Sequence, residues 1–286
     1  MSDRLTVSKT YKLYVGGAFP RSESGRTYPV ADSRGRFLAN ASQASRKDVR
    51  EAVVAARGAF GKWSRATAYN RGQVLYRVAE VLEGRREQFC AEVAASEGVQ
   101  AKKAAQLVDA AIDRWVWYAG WTDKVATVFG AANPVAGPYF SFSVPEPTGV
   151  VGVLAPQKSS LLGLVSVVAP VIATGNTAVV VTSQDRPLPA ITLGEVLATS
   201  DVPGGVVNLL TGHTAELAPW LAAHADVNAL DVVGADPEQR AELERAAAGT
   251  VKRVLRGSEP DWLAAPGVTR LRAFLETKTV WHPMGV

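Results

Sequence analysis

Gly149-Val150-Val151-Gly152-Val153-Leu154-Ala155-Pro156-Gln157-Lys158 opens the part of the chain whose pattern decides the fold. Val150 to Leu154 carry no polar side chain, which suits a short strand buried on both faces. An apolar helix follows to about Ala173, then a second all-apolar strand, Thr177–Val181. The alternation continues with a helix over Pro189–Thr199, strand Val206–Leu210, a helix over Ala215–Ala223 and strand Ala229–Val233. It closes with a helix over Pro237–Ala248 and strand Val251–Leu255. Continuous apolar strands alternating with helices predict an α/β fold, a doubly wound parallel sheet of Rossmann type.

Upstream the pattern is helical. Ser45 with Asp48 three residues on reads as a capping box opening a helix to about Trp63. A second helix is expected from about Ala66 to Ser96, on the spacing of Val74, Leu75, Val78, Val81 and Leu82, with Gly98 as its stop. A third, rich in Ala and Trp, is expected over Lys102–Val125. Before these, Tyr11–Val15, Gly16-Gly17 and Ala18-Phe19 read as a hairpin. Tyr139–Val144 and Glu276–His282 alternate polar and apolar residues and are expected to share a small separate sheet. The seven Trp are read as core and interface aromatics.

Composition excludes several classes. The net charge of +4 is spread among acids, so no basic tract points to nucleic acid or anionic lipid. The run Leu161–Thr174 is too short and too interrupted, by Gly163 and Pro170, to span a bilayer. Met1–Leu5 lacks the apolar core of a signal peptide. The single Cys excludes an intrachain disulfide and fits a reducing, cytoplasmic setting. His213, His224 and His282 have no metal-ligand spacing.

Several stretches, in order, resemble the aldehyde dehydrogenase superfamily. They are Leu13-Tyr14-Val15-Gly16-Gly17, Ala59–Ser64 with Arg71, and Pro147–Val153. Gly175-Asn176-Thr177, Val202–Asn208 and Lys278-Thr279-Val280 complete the set. The resemblance implies N-terminal helices packed on a cofactor-type domain over 1–136 and a pairing strand over 137–148. It further implies a Rossmann-type domain over 149–256, a short bridge over 257–275 and a C-terminal pairing strand over 276–286. It also implies NAD(P) as cofactor.

The departures carry as much weight. Where the family has Pro-Trp-Asn, with the Asn in its oxyanion hole, this chain has Pro156-Gln157-Lys158. Lys158 is a mobile point charge, not a fixed amide donor. Where the family's Lys-Pro-Ser-Glu holds the ribose, the chain has Val181-Thr182-Ser183-Gln184. Phe-Thr-Gly-Ser becomes Val232-Val233-Gly234-Ala235, and Asp236 puts a negative charge where a pyrophosphate would sit. The cofactor-binding set implied by the resemblance is therefore a degenerate one: Pro156, Lys158, Ser183, Gln184 and Gly234. Weak or lost NAD(P) binding is expected.

No catalytic residue is assigned. The family's catalytic domain, with its Gly-Gln-x-Cys nucleophile, should separate the cofactor domain from the last strand. Only about Gly257–Arg272 lies there, too little for a domain. Gln88-Phe89-Cys90-Ala91 echoes the nucleophile motif, but Cys90 falls inside a helix and reads as structural. Glu259 stands near the family's general-base position in a different context and reads as an exposed loop acid.

These readings point to a non-catalytic scaffold or regulatory subunit. It would pair with a full-length aldehyde dehydrogenase through Tyr139–Val144 and Thr277–Trp281. The missing domain is expected to leave part of the cofactor domain uncovered, as an apolar patch for that partner. The alternative is a diverged NAD(P)-dependent aldehyde oxidoreductase that completes a partner's active site. A metabolite-sensing role for the old crevice, with Lys158 and Arg186 meeting an anion, has no specific support; both read as solvated charges.

Overall fold

The computed structural model describes residues 9–285, so the expectation for Met1–Leu5 lies outside the described residues. Three short strands come first: β1 (Thr10–Tyr11), β2 (Thr27–Ala31) and β3 (Phe37–Ser42), in the order β1-β3-β2. The Gly16-Gly17 hairpin closes through one bridge, Val15 to Ala18, with both glycines at positive φ. Its Tyr14 exchanges backbone hydrogen bonds with Leu209, at 3.0 and 2.7 Å, so the hairpin seals one edge of the main sheet.

Helix α1 (Arg46–Arg65) starts at the Ser45–Asp48 capping box, as the sequence predicts. The expected second helix is two. α2 (Ala68–Gly84) stops and α3 (Arg86–Glu97) begins across Arg85, whose backbone leaves helical values at φ −114°, ψ 15°. Gly98, at φ 69°, ends α3 as a left-handed cap. The third expected helix ends early: α4 (Ala101–Ala119) gives way to turns around Trp121 before the short α5 (Val125–Phe129). Then come β4 (Ala131–Asn133) and β5 (Tyr139–Pro147).

The chain next alternates as predicted: β6 (Val150–Leu154), α6 (Leu162–Ala173), β7 (Thr177–Val181), α7 (Leu188–Ala198), β8 (Val207–Leu210) and α8 (Thr214–Ala223). β9 (Ala229–Asp231), α9 (Pro237–Ala248) and β10 (Arg253–Leu255) follow. The strand expected from Val251 starts two residues later, because Val251 turns at φ 55°. All five strands are parallel, in the order β10-β9-β6-β7-β8. The chain winds out from β6 to one edge, then returns to build β9 and β10 on the other side. That reversal opens a crevice at the C-terminal ends of β6 and β9.

The uninterrupted apolar strands have a direct cause. Val151, Val153, Ala178 and Val180 pack into one core with α4, α6 and α7. Val150, Leu154, Val179 and Val181 pack into the other with α1 and α8. Both faces are buried, so no polar alternation is tolerated, and each such side chain contributes about 1.5–3 kcal/mol by burial.

After β10 the bridge leads through α10 (Thr269–Ala273) into β11 (Leu275–Pro283). β11 and β5 pair antiparallel from Leu275–Pro147 to Pro283–Tyr139, with β4 on the far side of β5. β11 is thus an edge strand of a three-stranded arm. Its root is fixed by Asn176: the side chain accepts from Gly149 N (2.8 Å) and donates to Phe274 O (2.9 Å).

Part of the core that was expected to lie uncovered is covered by the bridge. The bridge folds back over the core, burying Leu271 and Phe274 completely, and every residue of α6 is buried. Arg114 of α4 holds the bridge by donating to Trp262 O (2.7 Å) and Ala264 O (3.1 Å).

Candidate functional site

The crevice at the strand ends measures about 670 Å³. Three of the loops that build it carry the residues singled out from sequence. Pro156-Gln157-Lys158 follows β6, Ser183-Gln184 follows β7, and Gly234-Ala235-Asp236 follows β9. Lys158, Gln184 and Gly234 line it together with Asp236, Arg240 and Glu259. Pro156 and Ser183 are buried behind the lining. The five residues singled out from sequence therefore converge on one place, with three of them facing the space.

Behind the lining, Gln157 and Tyr28 take up the Ser183 hydroxyl and the Gln184 backbone. Ser183 Oγ donates to Gln157 O at 2.8 Å, and Gln184 N donates to Gln157 Oε1 at 3.0 Å. Gln157 Nε2 in turn donates to Ala155 O at 2.8 Å, and Tyr28 Oη to Gln184 O at 3.0 Å. Gln157 thus laces the first loop to the second. It marks the register in the sequence, but this role stays invisible there because its partners lie 26 and 27 residues on. Arg186 donates to Lys158 O, which ties the loop after β7 to the loop after β6.

Gly234 is needed for packing. A Cβ there would sit 1.9 Å from Ala155 O and 2.7 Å from Leu154 O, and Gly234 N donates to Leu154 O at 3.0 Å. Asp236 caps α9, its carboxylate accepting from Glu238 N at 3.0 Å. The helix terminus that could meet a phosphate already carries an anion. Around the crevice, the cations Lys158 and Arg240 face three carboxylates, Asp185, Asp236 and Glu259. The balance is unfavourable for a dianionic pyrophosphate.

No reactive sulfur or imidazole reaches this space. Cys90 lies on α3, and burial pushes its thiol pKa up, the reverse of an activated nucleophile. His213 and His224 flank α8, and His282 is exposed on β11. Among the described residues, no three His, Cys, Asp or Glu side chains are placed to hold a metal ion.

The model of the aldehyde dehydrogenase family matches residues 19–256. The chain belongs to the aldehyde dehydrogenase family. It is 34% identical over 264 residues to aldehyde dehydrogenase family 2 member B4, mitochondrial, of Arabidopsis thaliana, covering 89% of this chain and 48% of that protein. Among solved structures it is similar to HpcC from Thermus thermophilus, with a TM-score of 0.82 and 30% identity, over 86% of this chain and 47% of that one. The NAD+ complex of a Bacillus cereus aldehyde dehydrogenase matches with a TM-score of 0.81 and 26% identity, over 86% and 50%. The chain spans about half the length of the relatives it matches.

The Bacillus cereus comparison makes NAD the cofactor to test against this crevice. Gln157 and Ser183 are already satisfied internally, and Asp236 occupies the helix terminus. The residues present do not fit a dinucleotide.

Proposed function

We propose that this chain is a non-catalytic aldehyde dehydrogenase-family subunit that pairs with a full-length aldehyde dehydrogenase. One observation carries the reading: the chain's single Cys lies inside α3 with a raised thiol pKa, away from the strand-end crevice. Aldehyde oxidation through a thiolate has no nucleophile to start from. The cofactor-binding roles of Pro156, Lys158, Ser183, Gln184 and Gly234 are vestigial in this reading.

The arm supports the pairing half of the proposal. Tyr139, Phe140, Trp281 and Met284 are all exposed, and the Tyr139 and Trp281 rings meet edge to face at 5.7 Å. Tyr139–Val144 supplies the inner strand, and Thr277–Trp281 lies along the free edge, where a partner strand can add. With the bridge covering the core, the arm is the surface offered to the partner. A cytoplasmic location belongs to the same proposal and rests on the lone free thiol. Among the described residues no helix is long and apolar enough to cross a membrane.

Titration of the full chain with NAD and NADP by calorimetry, followed by an aldehyde turnover assay, tests the catalytic half. Neither binding at millimolar cofactor nor turnover is expected. Saturable binding with turnover would return the chain to the working oxidoreductases.

A further inference from the structure

A second cavity, of about 170 Å³, lies under the bridge, apart from the strand-end crevice. At roughly 30 Å³ per water it has room for about five waters, or one small organic molecule. Its polar lining is Arg114, Tyr118, Ser166, Asp261, Trp262, Thr269 and Arg270.

These groups are not spent in the same way. Arg270 is committed to the wholly buried Asp231, at 2.8 Å, and stacks on the Trp262 ring at 5.3 Å. Arg114 is only 7% exposed and meets no carboxylate among the described residues. Its Nη2 donates to the Trp262 and Ala264 carbonyls, which are neutral acceptors and leave its charge unbalanced. Asp261 stands at the exposed rim, where its carboxylate accepts from Leu263 N at 3.0 Å and is screened by water.

Two neutral donors belong to the same lining. Tyr118, 2% exposed, lines the cavity with its phenolic hydroxyl group. Burial raises its pKa to about 12, so it keeps its proton to donate. The indole nitrogen of Trp262 is buried without a partner. Ser166 Oγ donates to Leu162 O at 2.7 Å, and its lone pairs remain free. A buried guanidinium without a counter-ion, beside a phenolic O–H and the unpaired Trp262 N–H, is a receptor for an anion. Prolyl and alanyl carbons of the bridge supply the remaining wall, which favours a short alkyl group.

We propose that this cavity is a binding site for a small monocarboxylate of two to four carbons, its carboxylate held by Arg114 and Tyr118. Binding would draw the bridge onto α4 and so couple occupancy to the stability of the bridge.

The test is calorimetry and thermal unfolding of the full chain with sodium acetate, propionate and butyrate. Chloride, sulfate and acetamide serve as controls at matched ionic strength. Saturable binding of the carboxylates, with a melting temperature that rises with their concentration, is expected. The controls should not saturate. Tyr118→Phe should weaken the carboxylate affinity by roughly three- to tenfold, the loss of one hydrogen bond. Arg114→Gln should abolish it, and if that variant does not fold, Tyr118→Phe decides alone. Equal responses to sulfate or acetamide, no saturation with any carboxylate, or an unchanged affinity in Tyr118→Phe would overturn the proposal.

Discussion

Asp231 Oδ2 and Arg270 Nε meet at 2.8 Å at the end of strand β9, and the Asp231 side chain is completely buried. Oδ1 of the same carboxylate accepts from Val233 N at 3.1 Å. The pair fastens the bridge to the sheet beside the crevice. It closes the side of the sheet at the end of β9.

Arg270→Met should therefore destabilise the chain by roughly 3–5 kcal/mol, because a buried carboxylate loses its counter-charge. The double variant Asp231→Leu with Arg270→Met should recover most of the loss. Urea unfolding measures both. A single-variant loss below about 1 kcal/mol, the scale of an exposed pair, would mean that the pair does not hold the bridge.

Glu92 gives a pH-dependent prediction. It lies on α3 beneath β1, accepting from Thr192 Oγ1 and Gln88 Nε2, each at 3.0 Å, while Oε2 is buried without a partner. Burial raises its pKa in the folded chain. A raised folded pKa means stability fully present below the unfolded value, about 4.3, and lost as pH rises through the folded pKa. Glu92→Gln should remove that loss. It should match the parent chain near pH 4 and exceed it by on the order of 1 kcal/mol at pH 7, read from melting curves across that range. An equal or lower stability at pH 7 would contradict this account of Glu92.

Gly234→Ala tests what the glycine is for. A Cβ at 1.9 Å from Ala155 O cannot be accommodated without moving backbone. Destabilisation of about 1–3 kcal/mol or more is expected in the absence of any nucleotide. A neutral substitution would show that the loop has freedom the geometry denies it.

The parallel sheet was legible because β6, β7 and β8 feed two cores at once, and their apolar runs record that burial directly. The capping box at Ser45 was legible for a similar reason, since its partners are three residues apart. Local signals failed where they were neutral. Gly84, a poor helix former, marks the break between α2 and α3, but the apolar period runs through it. The hairpin of β2 and β3 leaves no such mark in the pattern of apolar residues, because Pro29 interrupts one strand and only Val30 of that strand is fully buried. At the site, the loop positions of Lys158, Gln184 and Gly234 followed from register. The Gln157 lacing, the Arg114 hold on the bridge and the Asp231–Arg270 pair did not, because each joins residues far apart in the chain.

The arm is the surface proposed to pair with the partner. The most direct measurement of that pairing is the mass of the assembly formed when this chain is co-expressed with a full-length aldehyde dehydrogenase of the same genome. Size-exclusion chromatography with light scattering reads that mass. A mixed oligomer is predicted for the parent chain and its loss for Trp281→Glu, since Trp281 is 59% exposed on the edge strand and its replacement should leave the fold intact. Separate elution of the parent chain, with the enzyme's mass and rate unchanged, would contradict the account.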